Sequence, residues 1–183
     1  MFLRYSVYFL IAGLYLSSSA PTPEDCQRLL TPLPLDDLTK IHGRWNFIEG
    51  FTDHQMFESI LKMVDSFSMT VSSPPSSNNI LTINQQIMIR LLSLDEKDNS
   101  TFQILPNCAD CLVFSINTTV KDVDAQIHTL YILGRSSVLE ESDLKTFRQQ
   151  AECLGFSQPP NFHYDPKKAQ RPPCFTYTPE PHH

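Results

Sequence analysis

The stretch Ile41-His42-Gly43-Arg44-Trp45-Asn46-Phe47-Ile48-Glu49 decides the fold, because it joins a glycine turn to a strand that carries the only tryptophan of the chain. Gly43 lets the backbone turn sharply, and Trp45 supplies a large apolar side chain with one N–H group. A residue of this kind at the start of a first strand can fill the narrow end of a small β-barrel. A barrel of eight strands is just wide enough to hold one small ligand.

The sequence that follows contains short strand patterns separated by polar turns. Phe67, Met69 and Val71 alternate along one face of such a strand, and residues 73–79 form a turn rich in Ser, Pro and Asn. Regular short strands joined by tight turns are typical of an antiparallel barrel or sandwich. Strands are therefore predicted at 44–51, 66–72, 80–94, 101–105, 111–116 and 126–133, with a helical turn at 54–64.

One segment near the C-terminus has helical periodicity instead. Its apolar residues fall on one face of a helix, namely Leu144, Phe147, Ala151 and Leu154. The polar residues that should then point outward are Lys145, Arg148 and Gln149. A capping box starting at Ser137, or alternatively a cap at Ser142, would begin the helix, and Gly155 would end it. The prediction is one C-terminal α-helix, within 137–155, packed on the wall of a mainly β fold.

The first twenty residues have the pattern of a secretory signal peptide. A basic start with Arg4 precedes an uncharged apolar run at 5–16 and small residues at 17–20. The run is shorter than the roughly 17–25 residues of a membrane-spanning helix. Cleavage near Ala20, or alternatively at Ser19, would leave one domain at 21–183, with a proline-rich extended arm at 21–34 and a tail at 156–183. We therefore expect a secreted, extracellular, plasma-like monomer without integral membrane contact.

The net charge excludes one class of partner, and the two sequons agree with an extracellular protein. Without Arg4 the chain has 13 basic and 20 acidic residues, a net charge of −7. Nucleic-acid binding is not expected, because it needs a basic face to neutralise phosphates. The sequons at Asn99 and Asn117 predict N-glycosylation.

The five cysteines are expected to form disulfides in an oxidising compartment. Because five is odd, at least one is unpaired or bonds to another molecule. A bridge between Cys26 and Cys153 would tie the N-terminal arm to the helix. Cys174 would then pair with Cys108 or Cys111, and Cys108 is slightly favoured. Zinc is not expected, since a structural site usually needs two cysteine pairs of the Cys108–Cys111 kind.

The sequence contains none of the common catalytic motifs. There is no His-Glu-x-x-His, no phosphate loop and no Gly-x-Gly-x-x-Gly. Five glycines in the whole chain leave little room for glycine-rich loops. We therefore expect a binding protein that is not an enzyme and that has no cofactor and no metal.

Three stretches carry a family resemblance: 33–45 with the Gly43-Arg44-Trp45 turn, 130–135 with a basic residue after the last strand, and 147–154 in the helix. Together they resemble the lipocalin family, and within it the orosomucoid group with its toxin-binding members. The resemblance implies an eight-stranded antiparallel up-and-down β-barrel. It implies that Arg135 lies over Trp45 and, with Gly43, closes the barrel floor. It also implies the Cys26–Cys153 bridge.

The function that this resemblance implies is a secreted carrier for one hydrophobic or amphipathic small molecule, of the lipid, steroid, toxin or organotin class. His128 and Tyr131 alternate to opposite faces of one strand, so one of the two is expected to face the cavity. A cationic toxin would need carboxylates, for which Glu49, Asp53 and Glu58 are candidates. The residues predicted to bind the ligand are Phe47, Glu49, Phe67, Met69, Phe114, His128 and Tyr131.

Two other functions stay open at the level of sequence. One is an interaction or immune-modulating module whose cavity is filled by its own side chains. The other is a secreted enzyme of the prostaglandin-isomerase kind, which in this barrel uses a cavity cysteine, here Cys108 or Cys111.

Overall fold

The structure is a computed structural model that describes residues 20–34, 36–73, 82–89, 99–120 and 125–169, the segment 82–89 by its backbone alone. Its strands are β1 (Gly43–Thr52), β2 (Val64–Ser72), β3 (Thr82–Ile89), β4 (Asn99–Leu105), β5 (Cys111–Val120), β6 (Ala125–Gly134) and β7 (Phe162–His163). Its helices are α1 (Pro23–Leu30), α2 (Gln55–Met63), α3 (Glu141–Cys153) and α4 (Pro166–Ala169), with a 3-10 turn at Leu38–Ile41.

Several predictions fall on residues outside these ranges. They are the signal peptide apart from Ala20, most of the turn at 73–79, the ends of the strand at 80–94, and the tail beyond 169 with Cys174. No helix in the described part of the chain has the length and apolar character needed to cross a membrane.

The strands form one antiparallel sheet in the order β3-β2-β1-β6-β5-β4, with β7 added beside β1. This confirms the predicted mainly β architecture. β1 is the central strand, because it pairs with β2 through residues 43–46, with β6 through 46–52 and with β7 at 49–50. β3 and β4 stand at the two ends of this order and follow each other in the chain. Pairing them would close the sheet, so the closed barrel of eight strands stays a prediction.

Two apolar clusters lie on opposite faces of the sheet, as the alternation of Phe67, Met69 and Val71 predicts for β2. The inner cluster consists of Trp45, Phe47, Leu61, Met69, Val71, Ile104, Leu112, Leu133 and Phe162, with Ile41, Val64, Phe67, Phe114, Tyr131 and Tyr164 packed against it. The outer cluster consists of Ile48, Phe51, Leu105, Val113, Leu130, Ile132, Leu144, Phe147, Ala151 and Phe156.

A β-bulge in β1 changes which residues face inward. The register between β1 and β6 shifts between Phe47 and Glu49, and a bulge sets two residues against one on the partner strand. Phe47 and Gly50 therefore face the inner cluster. Ile48 and Glu49 both face the outer side, where α3 packs.

α3 packs on the outer cluster through the apolar residues that its periodicity predicts, including Leu144, Phe147 and Ala151. Gly155, with φ +83°, ends the helical segment as expected. The predicted start is wrong, because α3 begins at Glu141 and neither Ser137 nor Ser142 caps it.

The physical reason for this late start lies in the first turn of α3. The N-cap residue is Glu140, without a side-chain capping bond, and Glu141 and Asp143 place negative charge in the first turn. Negative charge at this place is stabilised by the positive end of the helix dipole. Ser142 already lies inside the helix, where its carbonyl accepts a hydrogen bond from the hydroxyl of Thr146.

The predicted extended arm is also wrong, because residues 23–30 form α1. Thr22 accepts a hydrogen bond from the Asp25 backbone, and the Asp25 carboxylate accepts from the Thr22 backbone, which completes a capping box. Pro23 sits in the first helical turn, where its missing N–H removes no helical bond. The hydrogen bonds from Thr22 and Arg28 lower the pKa of Asp25.

The first disulfide confirms the Cys26–Cys153 bridge, which ties α1 to the last turn of α3 across 127 residues of sequence. The second disulfide joins Cys108 to Cys111, so the predicted Cys108–Cys174 bridge is wrong. In that turn the Cys111 N–H donates to the Cys108 carbonyl at 3.2 Å, and the Cα atoms lie 5.0 Å apart. Closing so short a loop costs less chain entropy than reaching a distant cysteine.

Candidate ligand-binding site

At the start of β1, Arg135 covers the ring of Trp45, and this pair is here called the floor of the inner face. The guanidinium carbon of Arg135 lies 3.6 Å from the centroid of the Trp45 ring, a cation–π contact of about 0.5–2 kcal/mol. Arg135 also donates to the carbonyls of Arg44 and Lys40, each at 3.3 Å. The indole N–H of Trp45 donates to the Ile41 carbonyl at 2.8 Å. This is the contact that the family resemblance implied.

Gly43 is required for this arrangement. Its φ of +100° belongs to the left-handed region that favours glycine. A Cβ atom at this position would lie 2.8 Å from Nη1 of Arg135. A larger residue would therefore strain the turn and push the guanidinium away from the indole.

Above this floor, Phe47 is the centre of a group of aromatic rings. It stacks on Phe162, with centroids 4.3 Å apart and an interplanar angle of 5°. It meets Tyr131 and Phe67 edge-on, with centroid distances of 5.0 Å and 5.8 Å. Phe47 is buried, whereas Phe67, Phe114 and Tyr131 are only partly buried. The inner face thus presents partly accessible aromatic side chains above the floor.

Tyr131 adds a polar group to this apolar surface. Burial raises the pKa of its phenol, and a hydrogen bond with Thr129 acts in the opposite direction. The phenol is therefore protonated at neutral pH and can donate or accept a hydrogen bond. Gly50 makes room for this ring, since a Cβ there would lie 2.9 Å from Cδ1 of Tyr131 and 2.5 Å from Cζ of Phe47.

The structure places most of the predicted ligand residues on the inner face: Phe47, Phe67, Met69, Phe114 and Tyr131. Glu49 and His128 lie on the outer face, so their prediction as ligand residues is wrong. The bulge in β1 turns Glu49 outward. Alternation along β6 places His128 opposite Tyr131, as the sequence implied without saying which of the two faces inward.

Glu49 is fully buried beneath α3 and β7. Its carboxylate accepts hydrogen bonds from Nη2 of Arg148 at 2.5 Å and from Nε at 3.1 Å, and it lies 2.8 Å from Nδ1 of His163. Arg148, predicted to point outward, turns to the sheet and also donates to Glu141 at 2.9 Å. Hydrogen bonding to Glu49 raises the pKa of Arg148. This carboxylate is already paired and does not face the inner cluster.

The other carboxylates considered for a cationic ligand are engaged as well. Asp53 accepts a hydrogen bond from the backbone N–H of His128 at 2.9 Å. Glu58 pairs with Lys62 at 2.6 Å within α2. Glu49 and Glu58 are therefore paired with cations, whereas Asp53 is exposed and is held by a backbone N–H alone.

His128 forms a pair with Ser115 on the outer face, where its Nε2 lies 2.9 Å from the serine hydroxyl oxygen. Phe156 packs on the imidazole, with ring centroids 5.1 Å apart. A nucleophilic serine needs a base that is oriented by a third group. The nearby Asp53 bonds the backbone of His128 rather than its ring. Within the described residues this pair is therefore a structural hydrogen bond under Phe156.

Burial lowers the pKa of His128 from its ordinary value of 6.5, although Asp53 opposes the shift. Below that value the unfolded chain binds more protons than the folded one, so this group lowers stability as the pH falls. We expect His128→Gln to lose less stability than the native protein between about pH 7 and about pH 5. Urea unfolding of the native protein and of His128→Gln at both pH values measures the difference. Equal losses in the native protein and His128→Gln would contradict this assignment.

One group of side chains has the spacing of metal ligands, but its two cysteines form a disulfide. Cys108, Cys111 and Asp143 bring their ligand atoms within 4.8 Å of one another. Both sulfurs are joined in a disulfide, whereas metal binding needs thiolates. The same bond removes both cysteines as candidate nucleophiles in this state.

Comparison with known proteins agrees with this fold, although no protein-family model matches the chain. The chain is 25% and 24% identical to the saxitoxin and tetrodotoxin-binding proteins 2 and 1 of Takifugu pardalis, over 179 residues. The alignments cover 80% of this chain and 44% of each relative. The chain thus spans less than half the length of these curated relatives.

Among solved structures, the chain is similar to the solution NMR structure of lipocalin 12 from rat epididymis. The TM-score is 0.52 at 10% sequence identity, over 68% of this chain and 83% of that one. This similarity concerns the fold alone.

Proposed function

We propose, from the premise that fold and relatives support a lipocalin-family assignment, that this chain is a carrier for one small hydrophobic or amphipathic molecule. The ligand would lie on the inner face, above the Trp45–Arg135 floor. The assignment to the orosomucoid group stays a prediction. So does the ligand class, which we propose to be a lipid, a steroid, a toxin or an organotin.

The observation that carries this proposal is the set of partly buried aromatic side chains on the inner face: Phe67, Phe114 and Tyr131. Aromatic surface that stays accessible on the inner side of a sheet favours an apolar ligand, since ligand sites are mostly apolar with a few polar groups. Burial of that surface contributes about 25 cal/mol per Å² before the costs of binding are subtracted. The Tyr131 hydroxyl would orient a polar end of the ligand.

Secretion is part of the same proposal. It is supported by the signal-peptide pattern at 1–20 and by the Cys26–Cys153 bridge, since disulfides persist in oxidising compartments. Asn117 is exposed on β5, which is compatible with its glycosylation. The side chain of the other sequon residue, Asn99, lies outside the described residues. We further propose that the carrier is monomeric and has no catalytic activity.

The test uses the uncharged dye N-phenyl-1-naphthylamine, whose fluorescence rises in apolar surroundings. We expect saturable binding by the native protein, and about tenfold weaker binding by Phe67→Ser, because the change removes apolar contact area from the inner face. Val138→Ser is the control, because Val138 is exposed and belongs to neither cluster. Absence of dye binding by the native protein, with no change of Trp45 fluorescence on addition of steroids, fatty acids or organotins, would overturn the carrier function.

A second candidate function is an interaction module that holds no ligand. It is favoured by the inner residues that the protein itself buries, since Trp45, Phe47 and Phe162 are 5% exposed or less. These rings already fill the interior next to the floor. The same dye experiment separates the two functions, because an interaction module would bind neither the dye nor its competitors.

A further inference from the structure

Residues 161–164, here called the C-terminal strap, lie along the edge of β1 that β2 leaves free. β2 pairs with β1 only as far as Asn46, and β6 holds the opposite edge of β1. Further along β1, the Asn161 side chain accepts from the Thr52 N–H at 2.8 Å, and the Tyr164 N–H donates to the Ile48 carbonyl at 2.8 Å. The strap is thus held by hydrogen bonds at both of its ends.

One residue of the strap, Phe162, belongs to the inner cluster. Phe162 lies opposite Gly50 in the register of β7 and β1, and its side chain is 5% exposed. Glycine at that position leaves room for the rings of Phe47 and Tyr131, and the ring of Phe162 stacks on Phe47. The next residue, His163, points to the outer face and contacts the buried Glu49 carboxylate. Side chains alternate along a strand. Because His163 points to the outer face, the neighbouring Phe162 must point to the inner face.

We propose that Phe162 is a specificity-determining residue that sets how long a ligand the inner site accepts. The inference rests on the proposed carrier function. The ring occupies interior volume beside Phe47 and above the floor, so it competes with the buried end of any ligand. A shorter side chain at this position opens that volume to additional methylene groups of the ligand.

The test compares the native protein with Phe162→Ala in competition against N-phenyl-1-naphthylamine. The competitors are straight-chain alkanols of about eight to about eighteen carbons, which vary in length alone. Each additional buried methylene favours binding by about 0.8 kcal/mol, or about fourfold. We expect the best chain length to increase by two or more carbons, which corresponds to a change in relative preference of about fifteenfold or more. Phe162→Leu, which keeps most of the packing, should give a smaller shift in the same direction.

Phe156→Ala is the matched control. Phe156 comes from the same segment after α3, but its ring packs on Phe51 and His128 in the outer cluster. We expect this variant to lose stability and to keep the native chain-length preference. A purely structural role of Phe162 predicts a different result, in which all alkanols bind more weakly by the same factor.

The outcomes separate this inference from the carrier function. If the native protein binds no dye, the carrier function fails and the inference fails with it. If the native protein binds the dye and Phe162→Ala keeps the native length preference, the inference alone is overturned. Should Phe162→Ala not fold, the preference of Phe162→Leu decides in the same way.

Discussion

Replacing both Cys26 and Cys153 by serine in one double variant is expected to lower the free energy of unfolding by about 5 kcal/mol. This bridge closes a loop of 127 residues of sequence separation, and the chain-entropy model assigns a loop of this length about that value. Urea unfolding of the double variant against the native protein measures the loss. The loss is comparable to the total stability of many single domains, so refolding yield after reduction should fall as well.

The Cys108–Cys111 bridge supplies the matched control for this experiment. Its separation of three residues corresponds in the same model to about 2 kcal/mol. The double serine variant at these positions should therefore be markedly more stable than the Cys26/Cys153 variant. Equal losses would contradict the entropic explanation and would point to a common effect of introducing serine.

Replacing Arg148 by methionine is expected to cost about 3–5 kcal/mol, because it removes the guanidinium from the buried Glu49 carboxylate and leaves that carboxylate with the His163 contact alone. Glu49→Gln should cost less, since Arg148 is 31% exposed and keeps both water and Glu141 as partners. The double variant Glu49→Gln/Arg148→Met should regain much of the loss of the single Arg148 change. Urea unfolding of the four proteins gives the coupling energy.

The four proteins form a double-mutant cycle, which measures how strongly Glu49 and Arg148 stabilise each other. A coupling energy near zero would show that the two side chains contribute independently, despite the 2.5 Å contact. Lys62→Met provides a comparison for an exposed pair, since its partner Glu58 lies on the surface of α2. Exposed pairs of this kind contribute about 0.2–1 kcal/mol.

The sheet and the floor could be predicted from the sequence because both depend on local patterns. Alternation placed Phe67 and Met69 on one face and separated His128 from Tyr131. The Gly-x-Trp turn indicated where the first strand begins. These features require only the two-residue period of a strand and the special backbone of glycine.

Other parts of the site depend on a β-bulge and on long-range contacts, which the alternation of apolar and polar residues does not predict. The bulge after Phe47 reverses the direction of Glu49, and no residue type marks that position. The Arg148 side chain turns toward the sheet and pairs with Glu49, because an unpaired buried carboxylate is costly. Phe162 was missed, since a two-residue strand carries no periodic signal. In contrast, α1 was recognisable from Thr22-Pro23-Glu24-Asp25, which has the form of a capping box with proline at the first helical position.

The pairing of β1 also dictates the order in which the molecule can assemble. Its contact with β6 joins Asn46 to Gly134, 88 residues later in the chain. During synthesis, the central strand therefore waits with one edge unpaired until nearly the whole sheet has been made. Contacts this distant in sequence slow folding, and an unpaired apolar edge invites association with other chains. A nascent chain halted before β6 should accordingly depend on chaperones.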